Sequence, residues 1–184
     1  NVVVDSCTFY SNYIGVYNHA SDVVVEKSVF TNNDKGFYSS YVWIINCDGY
    51  RYRSIIKNNI FGLSADQKSA MPNRIGIHIG GSSSSSSGEH ELRIHDNVVS
   101  GNSENGIVVM GDFSNNSYGL ATSNLIGTNK YGDDFGNGAN GILSEAGSFY
   151  IGTSSLDSAN IIVFNHENGI MSEKNYLSVG ANFI

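Results

Sequence analysis

The chain has 184 residues, and Asn, Ser and Gly together supply 71 of them (23, 27 and 21). Those three are poor helix formers, so a helical bundle is disfavoured, while 40% apolar residues argue against disorder. A net charge of −7 argues against a nucleic-acid partner, and no apolar run approaches the roughly 18 residues that a membrane span needs.

Asn1 opens directly on a strand-like run, and the chain reads as one domain over 1–184 drawn from a longer secreted protein. Residues 1–21 (NVVVDSCTFYSNYIGVYNHAS) align with 22–42 (DVVVEKSVFTNNDKGFYSSYV) at seven of 21 positions. Phe9/Phe30, Asn12/Asn33, Gly15/Gly36 and Tyr17/Tyr38 are among the identities. The stretch 42–53 (VWIINCDGYRYR) then breaks the period. It predicts a hairpin or large turn about Asp48-Gly49, with Tyr50, Arg51, Tyr52 and Arg53 exposed on it as partner contacts or as an outer cap.

Two motifs recur to the end of the chain. The first is a small polar residue before an apolar pair: Asn59-Ile-Phe, Asn97-Val-Val, Asn124-Leu-Ile, Asn160-Ile-Ile and Asn182-Phe-Ile, with Cys7 and Ser28 holding the Asn position earlier. The second is Gly before a large apolar residue, at Gly15, Gly36, Gly76, Gly106, Gly141 and Gly169. The glycine gaps are 21, 40, 30, 35 and 28 residues, so the motifs are constant and the connections vary. A solenoid tolerates this, because an insertion at a turn leaves the stacked strands undisturbed. Each repeat supplies three short strands, which predicts an all-β, right-handed parallel β-helix of about seven coils, each rising roughly 4.8 Å. Asn suits the bends because it tolerates left-handed backbone, and stacked Asn side chains can bond coil to coil.

The segments 95–107 (HDNVVSGNSENGI), 123–142 (SNLIGTNKYGDDFGNGANGI) and 158–170 (SANIIVFNHENGI) resemble the right-handed β-helix repeats of the pectate-lyase-like superfamily. The resemblance covers nearly the whole chain and implies an extracellular or cell-surface protein. It implies polysaccharide or cell-surface glycan as partner, and flanking β-helix coils or capping domains of the same chain. It specifies fold and not activity, since the fold carries lyases, hydrolases, epimerases, tailspikes and adhesins. Two functions stay open: a structural or carbohydrate-binding adhesion module, and a fragment of a lyase, glycoside hydrolase or epimerase.

In such folds the ligand groove runs along one sheet. If that sheet is the Gly strand, alternation sends Val16, Phe37, Ile77, Ile107, Ile142 and Ile170 inward. Tyr17, Tyr38, His78, Val108, Leu143 and Met171 then point outward. Tyr17, Tyr38 and His78 are the candidate substrate-binding residues, as a platform for sugar rings; the other reading makes them ordinary outward strand formers. Long insertions border the strand. Leu63–Arg74 carries Asp66, Lys68 and Arg74, and Gly127–Asn140 carries Asp133 and Asp134, further binding candidates. Asp66, Lys68, Arg74 and His78 are the weak catalytic candidates. No cofactor is expected; only for a lyase-type site does the resemblance imply calcium, held by acids on outward strand positions. The sequence itself carries no zinc spacing and no EF-hand loop, and Cys7 and Cys47 are free to pair or not.

Overall fold

A tight bend repeated at fixed places in each repeat sets this architecture. The computed structural model describes residues 2–19, 22–40, 51–80, 89–111, 118–173 and 177–184, with backbone alone at 51, 52, 89 and 90. The first coil holds β1 (Val2–Asp5), β2 (Thr8–Tyr10) and β3 (Ile14–His19), and the second β4 (Val23–Glu26), β5 (Val29–Thr31) and β6 (Lys35–Ser40). The third holds β7 (Arg51–Lys57), β8 (Ile60–Phe61) and β9 (Ile75–Gly80), and the fourth β10 (Glu89–His95), β11 (Val98–Val99) and β12 (Ile107–Met110). The fifth holds β13 (Tyr118–Thr122), β14 (Leu125–Ile126) and β15 (Ile142–Glu145), and the sixth β16 (Phe149–Ile151), β17 (Ile161–Ile162) and β18 (Ile170–Ser172). A seventh begins with β19 (Leu177–Val179) and continues to Phe183, which bridges Ile161.

First strands stack into a seven-stranded sheet A, second strands into a six-stranded sheet B, and third strands into a six-stranded sheet C. All strand pairs are parallel, as in a right-handed parallel β-helix, the hand that crossovers between parallel strands adopt. The predicted coils and strand trios are therefore present.

Between sheets A and B, one residue turns left-handed and the next carries the ladder. Ser6, Lys27, Asn58, Asp96 and Ser123 have φ of 48–57°. The residues that follow them, with Asn160 and Asn182 further on, form one column. In it the Asn97 side chain accepts from the Asn59 backbone N–H at 3.0 Å and donates to Ile56 O at 2.8 Å. Asn124 and Asn160 repeat the pattern one and two coils on. A second column of Asn12, Asn33, Asn73, Asn102, Asn137 and Asn165 runs between sheets B and C. The expectation that the ladder asparagines take the left-handed backbone themselves is corrected. The residue before them does at Asn58, Asp96 and Ser123 in the first column and at Ser11, Asn32 and Phe164 in the second, whereas Ala159 before Asn160 is extended at φ −65°.

The core is layered in the same register. Phe9, Phe30 and Phe61 stack at 4.8 and 4.6 Å, and Val99, Ile126 and Ile162 continue their row. Phe37, Ile77, Ile107 and Ile142 are fully buried behind sheet C, with Val16 and Ile170 partly buried at its two edges. The recurrent glycine serves close approach: a Cβ on Gly36 would lie 2.6 Å from Gly76 O and 2.7 Å from the Phe61 ring.

The predicted hairpin over 42–53 is corrected at its end. Arg51–Lys57 is an ordinary strand of sheet A, paired with β10, and Arg53 there bonds Glu91 at 2.8 Å. Residues 42–50, Cys47 included, lie outside the described residues. Both long insertions fall at the B-to-C corner, in coils three and five. Each is closed by an antiparallel bridge, Leu63 to Ala70 and Thr128 to Asp134. They touch each other where the Gln67 side chain accepts from Lys130 N and its backbone oxygen accepts from the Asn129 side chain.

Candidate functional site

Sheet C carries its outward side chains as a column. Strand pairing aligns Tyr17 with Tyr38, Tyr38 with His78, His78 with Val108, Val108 with Leu143, and Leu143 with Met171. Because neighbouring coils are in register, rings at this position must lie over one another. The Tyr17 and Tyr38 rings stack at 5.3 Å and 8°, and the His78 ring follows at 5.0 Å, tilted by 55°. Tyr17 is 52% exposed and Tyr38 and His78 are half-buried, so the stack presents a surface. Val108, outward by register, is buried at 3% exposure, whereas Met171 at the far edge is exposed.

Neighbours that the sequence reading did not single out hold this stack. The Tyr17 hydroxyl shares hydrogen bonds with Ser40 Oγ (2.8 Å) and His19 Nδ1 (3.0 Å), which bond each other at 3.1 Å. His19 and Ser40 stand two residues beyond Tyr17 and Tyr38, so strand alternation alone puts them on the same face. Gly80 makes room for Tyr38: a Cβ there would sit 3.1 Å from the ring and 3.2 Å from its hydroxyl. Lys35 Nζ lies 4.9 Å from the centroid of Tyr38 and 5.6 Å from that of Tyr13. It also pairs with Asp34 at 3.8 Å.

The basic candidates do not gather into one constellation. Arg74 donates from Nε and Nη2 to the two oxygens of Asp34 at 2.6 and 3.3 Å, and from Nη1 to Glu104 at 2.7 Å. These bonds raise the Arg74 pKa above its already high ordinary value, Asp34 first, and the guanidinium correspondingly holds the Asp34 carboxyl below the usual range. A guanidinium so held anchors charge and does not take up protons. Asp66 accepts from Ser64 Oγ (2.6 Å) and Lys68 N (3.2 Å), bonds internal to its own exposed loop that hold its pKa below normal. Among the described residues, no hydrogen bond or ion pair joins Asp66 or Lys68 to Arg74 or His78. Asp133 and Asp134 likewise serve their insertion, accepting from the Asn129 side chain and Gly136 N.

His78 is set apart by burial. Its pKa is pushed down to about 4, by burial first and then by Lys35 and Arg74, against a weaker pull from Asp34. The ring is therefore uncharged at neutral pH, and its Nδ1 is enclosed without a partner. Among the described residues, no group of three or more His, Cys, Asp or Glu side chains is arranged to hold a metal ion. Cys7 is a free, exposed thiol at the first position of the first ladder, and no described helix is long and apolar enough to cross a membrane. No family model matches the chain, and neither does any curated protein or solved structure.

Proposed function

We propose that this chain is an extracellular or cell-surface β-helix segment that binds polysaccharide or cell-surface glycan along sheet C. The observation that carries the reading is the register-locked Tyr17–Tyr38–His78 stack, partly open to solvent and pinned by Ser40, His19 and Lys35. The Tyr17 and Tyr38 rings face each other, so what they turn outward is their edges, one ring per coil, an aromatic surface against which sugar C–H groups can pack. The repeats resembling the pectate-lyase-like superfamily support the same reading, since carbohydrate is a common ligand of that fold. Flanking coils or capping domains would then continue the solenoid, because a β-helix coil left uncovered presents unpaired strand edges.

A catalytic role on polysaccharide is the second reading, favoured by one observation: an uncharged His78 on β9, with Arg74 just before that strand adding to the positive charge felt by the ring. It lacks a base and an acid joined in one hydrogen-bonded set, so binding is preferred. Binding of Tyr38→Ala to an immobilised glycan array, beside its thermal melt, tests the proposal. Signal lost with the melting temperature within a few degrees of wild type is the expected outcome. Signal retained on every glycan that the wild type binds would remove it.

A further inference from the structure

Both cations beside the stack are already paired with carboxylates. In the six strands of sheet C and the residue preceding each, the Lys and Arg residues are Lys35 and Arg74 alone. Lys35 is spent on Asp34 and on the rings of Tyr38 and Tyr13, with its side chain only 14% exposed. Arg74 is occupied on one side by Asp34 and on the other by Glu104. The row beside the stack ends in Met110 and Glu145, which adds another carboxylate and no cation. Among the described residues of the segments running from sheet C to sheet A, the charged ones are Asp22 and Glu173, both acidic.

Recognition of a uronate or sulfated chain needs cations free to meet each anionic group, and Arg is usually chosen for a bidentate grip. Here the one arginine already makes its bidentate bond to Asp34. What the column does offer is apolar: the outward edges of three rings in coils one to three, and Leu143 and Met171 at the same register in coils five and six, with Val108 covered between them. An extended pyranose chain running parallel to the helix axis can lay its C–H groups along the ring edges.

We infer that the glycan held on sheet C is an uncharged, extended polysaccharide whose chain lies along the helix axis over Tyr17, Tyr38 and His78. This rests on the glycan-binding reading and narrows it to a ligand class. The test is native electrophoresis of the whole chain through gels containing mixed-linkage β-glucan or glucomannan, and through gels containing polygalacturonate or alginate, at low and high salt. A neutral polymer should retard the wild type equally at both salt concentrations, and Tyr38→Ala should weaken that retardation about tenfold. Glu145→Lys, which puts a cation beside the column, should leave the neutral retardation in place.

Salt-sensitive retardation by polygalacturonate or alginate, reduced in Tyr38→Ala, would overturn the uncharged class while leaving glycan binding on this face intact. Retardation by none of the four polymers, or retardation that a folded Tyr38→Ala variant fully retains, would overturn both. Circular dichroism of each variant establishes that it is folded.

Discussion

His78 is the residue at which sequence position, burial and chemistry bear on one another most directly. Strand alternation turns it outward, yet the Tyr38 ring on one side and covered Val108 on the other leave it half-buried. The groups around it are Lys35 and Arg74, which disfavour a second positive charge, and Asp34, which favours it less strongly. Because the folded-state pKa is near 4 against an ordinary 6.5, the unfolded chain binds a proton that the folded chain refuses between those values. The sign follows: stability is full above pH 6.5 and falls as the pH drops through the window. Asp34, Asp66 and Glu91 have depressed values, so their stabilisation is lost only below the ordinary carboxylate range, at 3.8 for Asp and 4.5 for Glu. The interval from 6.5 to 4.5 therefore belongs to His78 among the described groups with shifted values. Urea midpoints of the wild type should fall across it, and those of His78→Gln should stay level. Equal slopes in the two proteins would refute the assignment.

At the scale of the element, the ladder and the bend are different devices made by adjacent residues. Asn58 and Asn59 look alike in sequence, but Asn58 is exposed at φ 55° and Asn59 is buried at 1% exposure in the column. The same division holds at Asp96 and Asn97. Asn97→Ala leaves the Asn59 N–H and the Ile56 carbonyl without their partner inside the coil, which should cost about 2–4 kcal/mol. Asn58→Ala keeps every ladder bond and meets only the left-handed backbone penalty, about 1 kcal/mol. Denaturant melts of the two variants should rank in that order, and the reverse order would show that the bend outweighs the ladder.

The Gly-apolar spacing reveals the coils because a Cβ on those glycines, Gly15 to Gly141, would meet the backbone of the next coil, and the Asn-apolar-apolar spacing because the ladder position bonds backbone groups of adjacent coils through its side chain. The outward row of sheet C was legible for the same reason, since it follows from Gly15, Gly36 and Gly76 by counting two residues on. The pairing of Arg74 with Asp34 and Glu104 was not. Those partners lie 40 and 30 residues away, across insertions whose length says nothing about which coil faces which. The end of the supposed hairpin at Arg51 was hidden too, because Tyr and Arg alternate there as readily on a turn as on an exposed strand.

At the scale of the whole molecule, a solenoid has no single centre, and each coil depends on its two neighbours. Burial follows that rule along the axis. Ile77, Ile94, Val99, Ile107 and Ile126 in coils three to five are fully enclosed, whereas Val2 and Val3 in coil one are 51% and 62% exposed. Phe183 and Ile184 at the opposite end are 56% and 69% exposed. The ladders show the same gradient: Cys7 reaches only the coil after it, where its N–H donates to the Ser28 hydroxyl and its carbonyl accepts from Val29 N, while Asn97 is bonded on both sides. Local opening should therefore cost least at the two ends and most in the middle. Hydrogen exchange followed by mass spectrometry is expected to rank amides of β8, β11 and β14 as slowest. Those of β2 and of Phe183 should be fastest, although they lie in the same sheet or bridge to it. Because strand length, sheet and hydrogen-bond type are nearly constant along sheet B, this comparison isolates position in the stack. Uniform exchange across the sheet would mean that the chain opens as one cooperative block, and nearest-neighbour coupling would then not describe it.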